Sequence, residues 1–285
     1  MSHKHTSWSD EPSSRLRVGD GFVLADADTD AQPGFDGDKH DGARLLADEA
    51  STLADLQERL FAASVGGDTR SVLLVLQAMD SAGKGGIVGH VVGAVHPMGV
   101  EYTGFKKPTP QELAHDFLWR VRNVVPGHGI IGVFDRSHYE DVLIGRVRQL
   151  ANAVEIERRY GAINDFEREL TESGTSIIKV MLHLGPDEQK KRLGARLDRP
   201  DKHWKYNPGD VDERLLWNDY QDAYQIVLDR TSTQQAPWFV VPADKKWYAR
   251  LAVQRILIGV LEDMKLGWPP ADYDVEAEKA RLAAS

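Results

Sequence analysis

The 285-residue sequence contains no cysteine. That excludes disulfides, thiolate nucleophiles and thiolate metal sites, and it fits a cytoplasmic protein, the location expected here. Long apolar runs are missing as well. None approaches the roughly 18 residues of a membrane span, and the N-terminal MSHKHTSWSDEPSS lacks the apolar core of a secretory signal. No membrane partner is therefore expected. An excess of positive charge is also absent: 35 Lys and Arg stand against 44 Asp and Glu, a net charge of -9. General nucleic-acid binding is not expected on that balance, but an anionic ligand remains open, because a site presents its local charge. Apolar residues make up 41% and charged residues 28%, which is ample for one large α/β domain or one domain with an insertion.

The charge is unevenly distributed. Asp26 to Ala50 is rich in Asp, whereas Lys190 to Lys205 carries Lys190, Lys191, Arg192, Arg196, Arg199, Lys202 and Lys205 against Asp198 and Asp201. Residues 1–40 are polar and weakly periodic and are expected to form an extended or partly disordered arm. Ala43 to Ser64 places Leu45, Leu46, Leu53, Leu56, Leu60 and Phe61 at helical spacing and predicts one helix. Ser71 to Met79 is a short, nearly continuous apolar run that predicts a buried strand, and four further strands are expected over Val100 to Phe105, Gly129 to Asp135, Ser176 to Leu184 and Pro237 to Ala243. Helical patterns separate them. Ile87 to Val95 ends before Pro97, and Thr109 caps a helix with Pro110 at its first position. Strands alternating with helices predict a three-layer α/β/α fold around a five-stranded parallel sheet. The expected domain spans residues 41–270, with residues 271–285 as a tail.

MDSAGKGG lies between the first strand and the next helix, the context of a phosphate-binding loop. Two features of the common nucleotide loop are missing. Ala78 stands where the first glycine belongs, and Lys84 is followed by Gly85 and Gly86 instead of the Ser or Thr that holds magnesium. The expected phosphate contacts come from Ser81, Ala82, Gly83, Lys84, Gly85 and Gly86, because glycines let backbone N–H groups converge at a helix N-terminus. The alternative is a glycine-rich turn with a surface lysine. Asp80, inside the loop, would repel a phosphate chain unless a metal ion sat between them; it can replace the missing hydroxyl as a magnesium partner.

GVFDRSHYED ends the third strand with Asp135, at the carboxyl rim where open α/β sheets bind ligands. Asp135 is a second magnesium candidate or the N-cap of a helix starting near Arg136. Arg136 is placed to neutralise charge on a transferred phosphoryl group. Glu140 fits either a further metal partner or a solvated helical face, and Asp141 is expected on the solvated face. The basic stretch predicts a helix from Lys190 to Leu197 and a loop broken by Pro200 and Pro208. A helical lid insertion over roughly residues 188–212 would close on phosphates and exclude water; the alternative is a solvated basic face. Trp204 and Tyr206 among its lysines favour the lid.

These stretches together resemble the family-2 polyphosphate kinases. LLVLQAMDSAGKGG, GFKKPTPQELAHDFLWRV, GVFDRSHYEDVL, RLDRPDKHWKYNPGD and WNDYQDAYQIVLDRTST…APWFVVPADKKWYARL occur in order from Leu73 to Leu251. The resemblance implies a P-loop kinase fold and reversible phosphoryl transfer between inorganic polyphosphate and adenine or guanine nucleotides (AMP, ADP, ATP). It implies magnesium, for which manganese could substitute, and assembly as a homodimer or homotetramer. It casts Asp80, Lys84, Asp135, Arg136 and Arg196 as catalytic residues, and Arg196, Arg199, Lys202 and Lys205 as the lid facing polyphosphate. Ile87 departs from the Thr that many relatives carry, and SHYEDVL is closer to members that accept nucleoside monophosphates. Two rival functions remain: an ATP-dependent nucleoside monophosphate kinase, against which Gly85 speaks, and a non-catalytic nucleotide-binding module.

Overall fold

Ser71–Ala78 forms the central strand β1 of the computed structural model, which describes residues 8–285. Around it stand β2 (Val100–Gly104), β3 (Ile131–Asp135), β4 (Thr175–His183) and β5 (Trp238–Pro242). All pairs are parallel, in the order β2-β3-β1-β4-β5. Every residue of β1 is buried, because helices cover both faces. Val72, Leu74, Leu76 and Ala78 enter one core and Leu73 and Val75 the other, the two-sided burial of a parallel sheet. Each such Leu or Val contributes roughly 1.5–3 kcal/mol when fully buried.

Helices complete the layers: α1 (Lys39–Asp48), α2 (Ala50–Val65), α3 (Lys84–His90), α4 (Ala153–Glu172), α5 (Pro186–Leu197), α6 (Trp217–Thr231) and α7 (Lys246–Asp263). The single helix expected over Ala43 to Ser64 is two. Its N-terminus lies earlier because Asp38 caps it, accepting from His40 and Asp41 N–H at 2.7 and 2.9 Å. Glu49 is the junction between α1 and α2. The helix expected from Thr109 also splits, into Pro110–Leu113 and Trp119–Arg122. Its cap forms as expected, with Thr109 Oγ1 accepting from Glu112 N–H at 3.2 Å.

The N-terminal segment differs from the expected loose arm. Residues 1–7 lie outside the described residues. From residue 8 onward the segment is ordered, with Leu16, Val18, Leu24 and Phe35 buried. Val18 N–H donates to Trp238 O and Val240 N–H to Leu16 O, both at 2.9 Å. This antiparallel bridge covers the open edge of β5, which would otherwise expose unpaired backbone groups. The C-terminal residues from 275 form an exposed helix, Val275–Ala283. Among the described residues, no helix is long and apolar enough to cross a membrane.

Candidate active site

The loop after β1 turns because Ser81 (φ 68°) and Gly83 (φ 120°) adopt left-handed backbone. Gly83 is the N-cap of α3, which starts at Lys84 rather than at Ile87 as expected and ends at His90. Among the described residues, the N–H groups of Ser81, Gly83, Lys84 and Gly85 donate to nothing, while those of Gly86 and Ile87 return to Gly83 O at 2.7 and 3.2 Å. Ser81 Oγ is buried and also without a partner. Unsatisfied donors gathered on one turn at a helix start are suited to phosphate oxygens. Lys84 Nζ reaches Ala78 O at 3.4 Å. Burial and the nearby Arg136 push the Lys84 ammonium pKa down, against the pull of Asp135, Asp80 and Glu140.

β1 and β3 are neighbours, with Leu76 opposite Asp135, so the ends of both strands open on one rim. Arg136 (φ 66°) turns across it. Its guanidinium donates to Asp80 Oδ1 at 2.8 Å and to Glu140 Oε2 at 3.2 Å. Glu140 and then Asp80 hold Arg136 firmly protonated despite burial. Glu140 is therefore neither solvated nor free, and burial raises its carboxyl pKa against the pull of Arg136 and Lys84. Tyr102, from β2, donates its hydroxyl to Asp135 Oδ2 at 3.3 Å.

Two expectations about this segment are corrected. Asp135 does not cap the next turn; Ser137 does, its Oγ accepting from Tyr139 N–H at 3.2 Å. Asp141 is not on a solvated face: its side chain is 18% exposed and lies 3.7 Å from Arg120 and 3.6 Å from Arg159. Packing from below explains why the segment is so fully committed. Tyr139 donates to the buried Glu167 at 2.7 Å, and Lys179 Nζ donates to Glu167 and to Thr231 O at 2.6 Å each.

The lid region is helical, as α5, the turn Pro200–Lys205 and the helix Gly209–Arg214. α5 begins at Pro186, four residues before the helix start expected at Lys190, with proline at the first helical position. Arg196 donates to Lys205 O at 3.1 Å and meets Asp210 at 3.3 Å. Arg199 and Lys202 share Asp201, at 2.8 and 3.1 Å. Lys205 lies over the Trp204 ring at 4.8 Å.

The loop after β1, the rim and the lid meet in one cleft of about 980 Å³. Its lining brings together Asp80, the whole loop from Ser81 to Gly86, Asp135, Arg136, Arg196, Arg199, Lys202 and Lys205. Glu140 instead lines a smaller cavity of about 200 Å³ on the far side of Asp80 and Arg136. Four further cations line the cleft: Lys191 and Arg192, named from the sequence only as part of the basic stretch, and Lys246 and Arg250, not singled out there. Lys246 and Arg250 form no ion pair among the described residues, and burial followed by the neighbouring Arg192 lowers both pKa values. Their only sequence signal was the KKWYARL stretch within the resemblance. Ten cationic and four acidic residues thus line the cleft, an excess that invites a polyanion.

For a metal, Asp80 and Asp135 are the candidates on the phosphate side of the rim. Asp80 Oδ2 and Asp135 Oδ1 accept no hydrogen bond among the described residues. No cluster of three metal-ligating side chains is found there. Two carboxylates beside unpartnered loop N–H groups nevertheless suit magnesium, which keeps waters and phosphate oxygens in its shell when it binds a phosphate.

Relatives extend the comparison beyond geometry. The family model described as Polyphosphate kinase 2 (PPK2) matches residues 36–267. An AMP/ADP-polyphosphate phosphotransferase of Meiothermus ruber is 44% identical over 87% of this chain and 91% of its own. An ADP-polyphosphate phosphotransferase of Rhodopseudomonas palustris is 40% identical over 90% and 92%. The crystal structure of polyphosphate kinase 2 from Arthrobacter aurescens superposes with a TM-score of 0.97 at 58% identity, covering 98% of this chain and 99% of that one. With the phosphate loop, the acidic rim and the basic lid in one fold, the chain belongs to the polyphosphate kinase 2 family.

Proposed function

We propose that the protein transfers a terminal phosphoryl group, reversibly, between inorganic polyphosphate and a nucleotide, taking AMP to ADP and ADP to ATP. The observation that carries this is the pairing of unsatisfied loop N–H groups with a cleft lined by ten cations. A single nucleotide does not need so long a basic lining. The names of the Meiothermus and Rhodopseudomonas relatives support polyphosphate as one substrate and adenine nucleotides as the other.

Asp80 and Asp135 would hold magnesium, which when bound screens the phosphate charge and orients the chain. The residues themselves do the rest. Lys84 and the N–H groups of Ser81, Gly83 and Gly85 hold phosphate oxygens. Arg136, at the rim between Asp80 and Glu140, faces the group in transfer, and Arg196 approaches it from the lid. Both offset the charge that spreads over the equatorial oxygens. No side chain need form a covalent intermediate, so positioning and electrostatics carry the rate. We further propose a cytoplasmic homodimer or homotetramer, on the cysteine-free composition and the family resemblance; light scattering would check the assembly.

One assay separates this reading from its rivals. AMP or ADP is offered with magnesium and either polyphosphate or ATP as donor. Product with polyphosphate is expected. Product only with ATP would make the protein a nucleoside monophosphate kinase, and no product with either would make it a binding module.

A further inference from the structure

Arg192 lines the cleft among the lid cations and would be counted with them by charge alone. Its hydrogen bonds say otherwise. Nη1 donates to Ser81 O at 3.1 Å and Ala82 O at 2.9 Å. Nη2 donates to Ala243 O at 2.6 Å and Asp244 O at 2.9 Å. Nε donates to Glu188 Oε1 at 2.9 Å. A guanidinium has five N–H groups, and all five are used inside the protein. The side chain is 5% exposed. Arg192 therefore has no donor to offer a phosphate.

One turn earlier on α5, Gln189 Nε2 donates to Asp80 O at 3.0 Å. Its own oxygen accepts from Arg214 Nη1 at 3.0 Å, which fixes the amide with its nitrogen toward the loop. Three consecutive carbonyls of the phosphate loop, Asp80, Ser81 and Ala82, are thus drawn onto the first turns of the lid helix. In a planar trans peptide, the C=O of one residue and the N–H of the next point in opposite directions. Holding these carbonyls on α5 turns the N–H groups of Ser81 and Gly83 away from it. Those are two of the four that donate to nothing. Ser81, a residue with a Cβ, holds a left-handed backbone (φ 68°), which is unfavourable for it, so the turn needs an outside restraint.

We propose that Arg192 and Gln189 are positioning residues: a clamp from the lid helix that aims the backbone donors of the phosphate loop without touching the substrate. The clamp also ties the loop to the end of β5 through Ala243 and Asp244, just before Lys246 and Arg250 enter the cleft. Loop, lid helix and α7 cations are then one rigid anion-binding unit, and the phosphate affinity of the loop depends on a side chain that carries no phosphate. This rests on the cleft being the phosphate site proposed above.

The test is Arg192→Lys in the full chain, which keeps the charge but cannot serve four carbonyls. Binding of tripolyphosphate and, separately, of ADP is measured by calorimetry over a range of salt concentrations, beside the melting temperature. Tripolyphosphate affinity is expected to fall at least tenfold with the slope of log Kd against log salt unchanged. Gln189→Met should show a smaller loss in the same direction, and it decides the matter if Arg192→Lys does not fold. A merely structural role would lower the folded fraction and leave the Kd of the folded protein as in wild type; that result overturns the clamp. A reduced salt slope also overturns it, because Arg192 would then contact phosphate. Wild-type protein that binds ADP but not tripolyphosphate would instead refute the polyphosphate reading, and the ADP arm would then decide the clamp by the same criteria.

Discussion

Asp80→Asn separates stability from chemistry at the centre of the site. Asp80 is 22% exposed, and its Oδ1 accepts from Arg136 at 2.8 Å. Asparagine keeps the shape and one acceptor oxygen, so that contact survives as a bond to a neutral group. Arg136 also keeps Glu140 at 3.2 Å. No buried cation is left without a counter-charge, the situation that costs roughly 3–5 kcal/mol. The stability loss should be about 1 kcal/mol, or about 2–4 °C in Tm for a domain of this size. The rate should respond far more strongly. With Asp80 as one of two carboxylates holding the metal against the phosphates, its neutralisation should lower kcat at least ~10²-fold, about 2.7 kcal/mol. The assay is the initial rate of ATP formation from ADP and polyphosphate across a magnesium titration, with Tm measured on the same samples. Full turnover at saturating magnesium would refute the catalytic role of Asp80. A collapse in Tm would refute the claim that Glu140 suffices to hold Arg136.

Three further outcomes follow from other parts of the molecule. Arg196→Gln removes a lid cation whose side chain is 26% exposed; the KM for polyphosphate should rise about tenfold and its logarithmic salt slope should fall by about one, and an unchanged KM would count against a lid contact. Lys179→Met strands the buried Glu167, 2.6 Å away, and should cost about 3–5 kcal/mol in urea unfolding at pH 7. Burial opposes it, but Lys179 and His138 hold the Glu167 carboxyl below its ordinary value of 4.5. The stabilisation is therefore present above that value and lost as pH falls through the lower folded value, so the penalty should be smaller near pH 4 than at pH 7. Gly129→Ala puts a Cβ 2.3 Å from Ser64 Oγ at a backbone φ of 76°, and a Tm drop corresponding to about 2 kcal/mol or more is expected; an unchanged Tm would mean that α2 gives way freely there.

Four strands were legible because each is a short apolar run with both faces buried, and β2, an edge strand with no fully buried residue, was legible from its place between turn residues; all five lie within two residues of the expected bounds. Local residue types also located the turn between β1 and α3, where Gly83 takes the left-handed backbone that glycine favours. What failed to show was determined at a distance. The N-terminal segment looks polar and loose in sequence, yet Leu16 and Val18 pair with β5 more than 200 residues later, a contact no local pattern encodes. Asp141 reads as a solvated acid until Arg120 and Arg159 close on it. Arg192 reads as one more lid cation, and only its five acceptors distinguish it from Arg196, four residues on.

The charge pattern makes sense as a stored cost. A chain of net charge -9 could neutralise its cleft, yet Lys246 and Arg250 are left without acidic partners there. Burial, and then the neighbouring Arg192, lower their pKa values, which means that the folded protein holds these protons less tightly than an unfolded chain would. Under the proposed function, a polyanion bound in the cleft would offset that disadvantage. Part of the ligand affinity is therefore stability withheld from the free protein, and ligand should raise Tm by more than the same phosphate concentration supplied as orthophosphate. The acid excess elsewhere acts in the same direction: it makes the remaining surface unattractive to polyphosphate, so a long chain finds one favourable place to dock. Under the proposed function, lid cations paired with acids, such as Arg199 and Lys202 on Asp201, would be released from each phosphate after transfer, because the internal carboxylate competes for them.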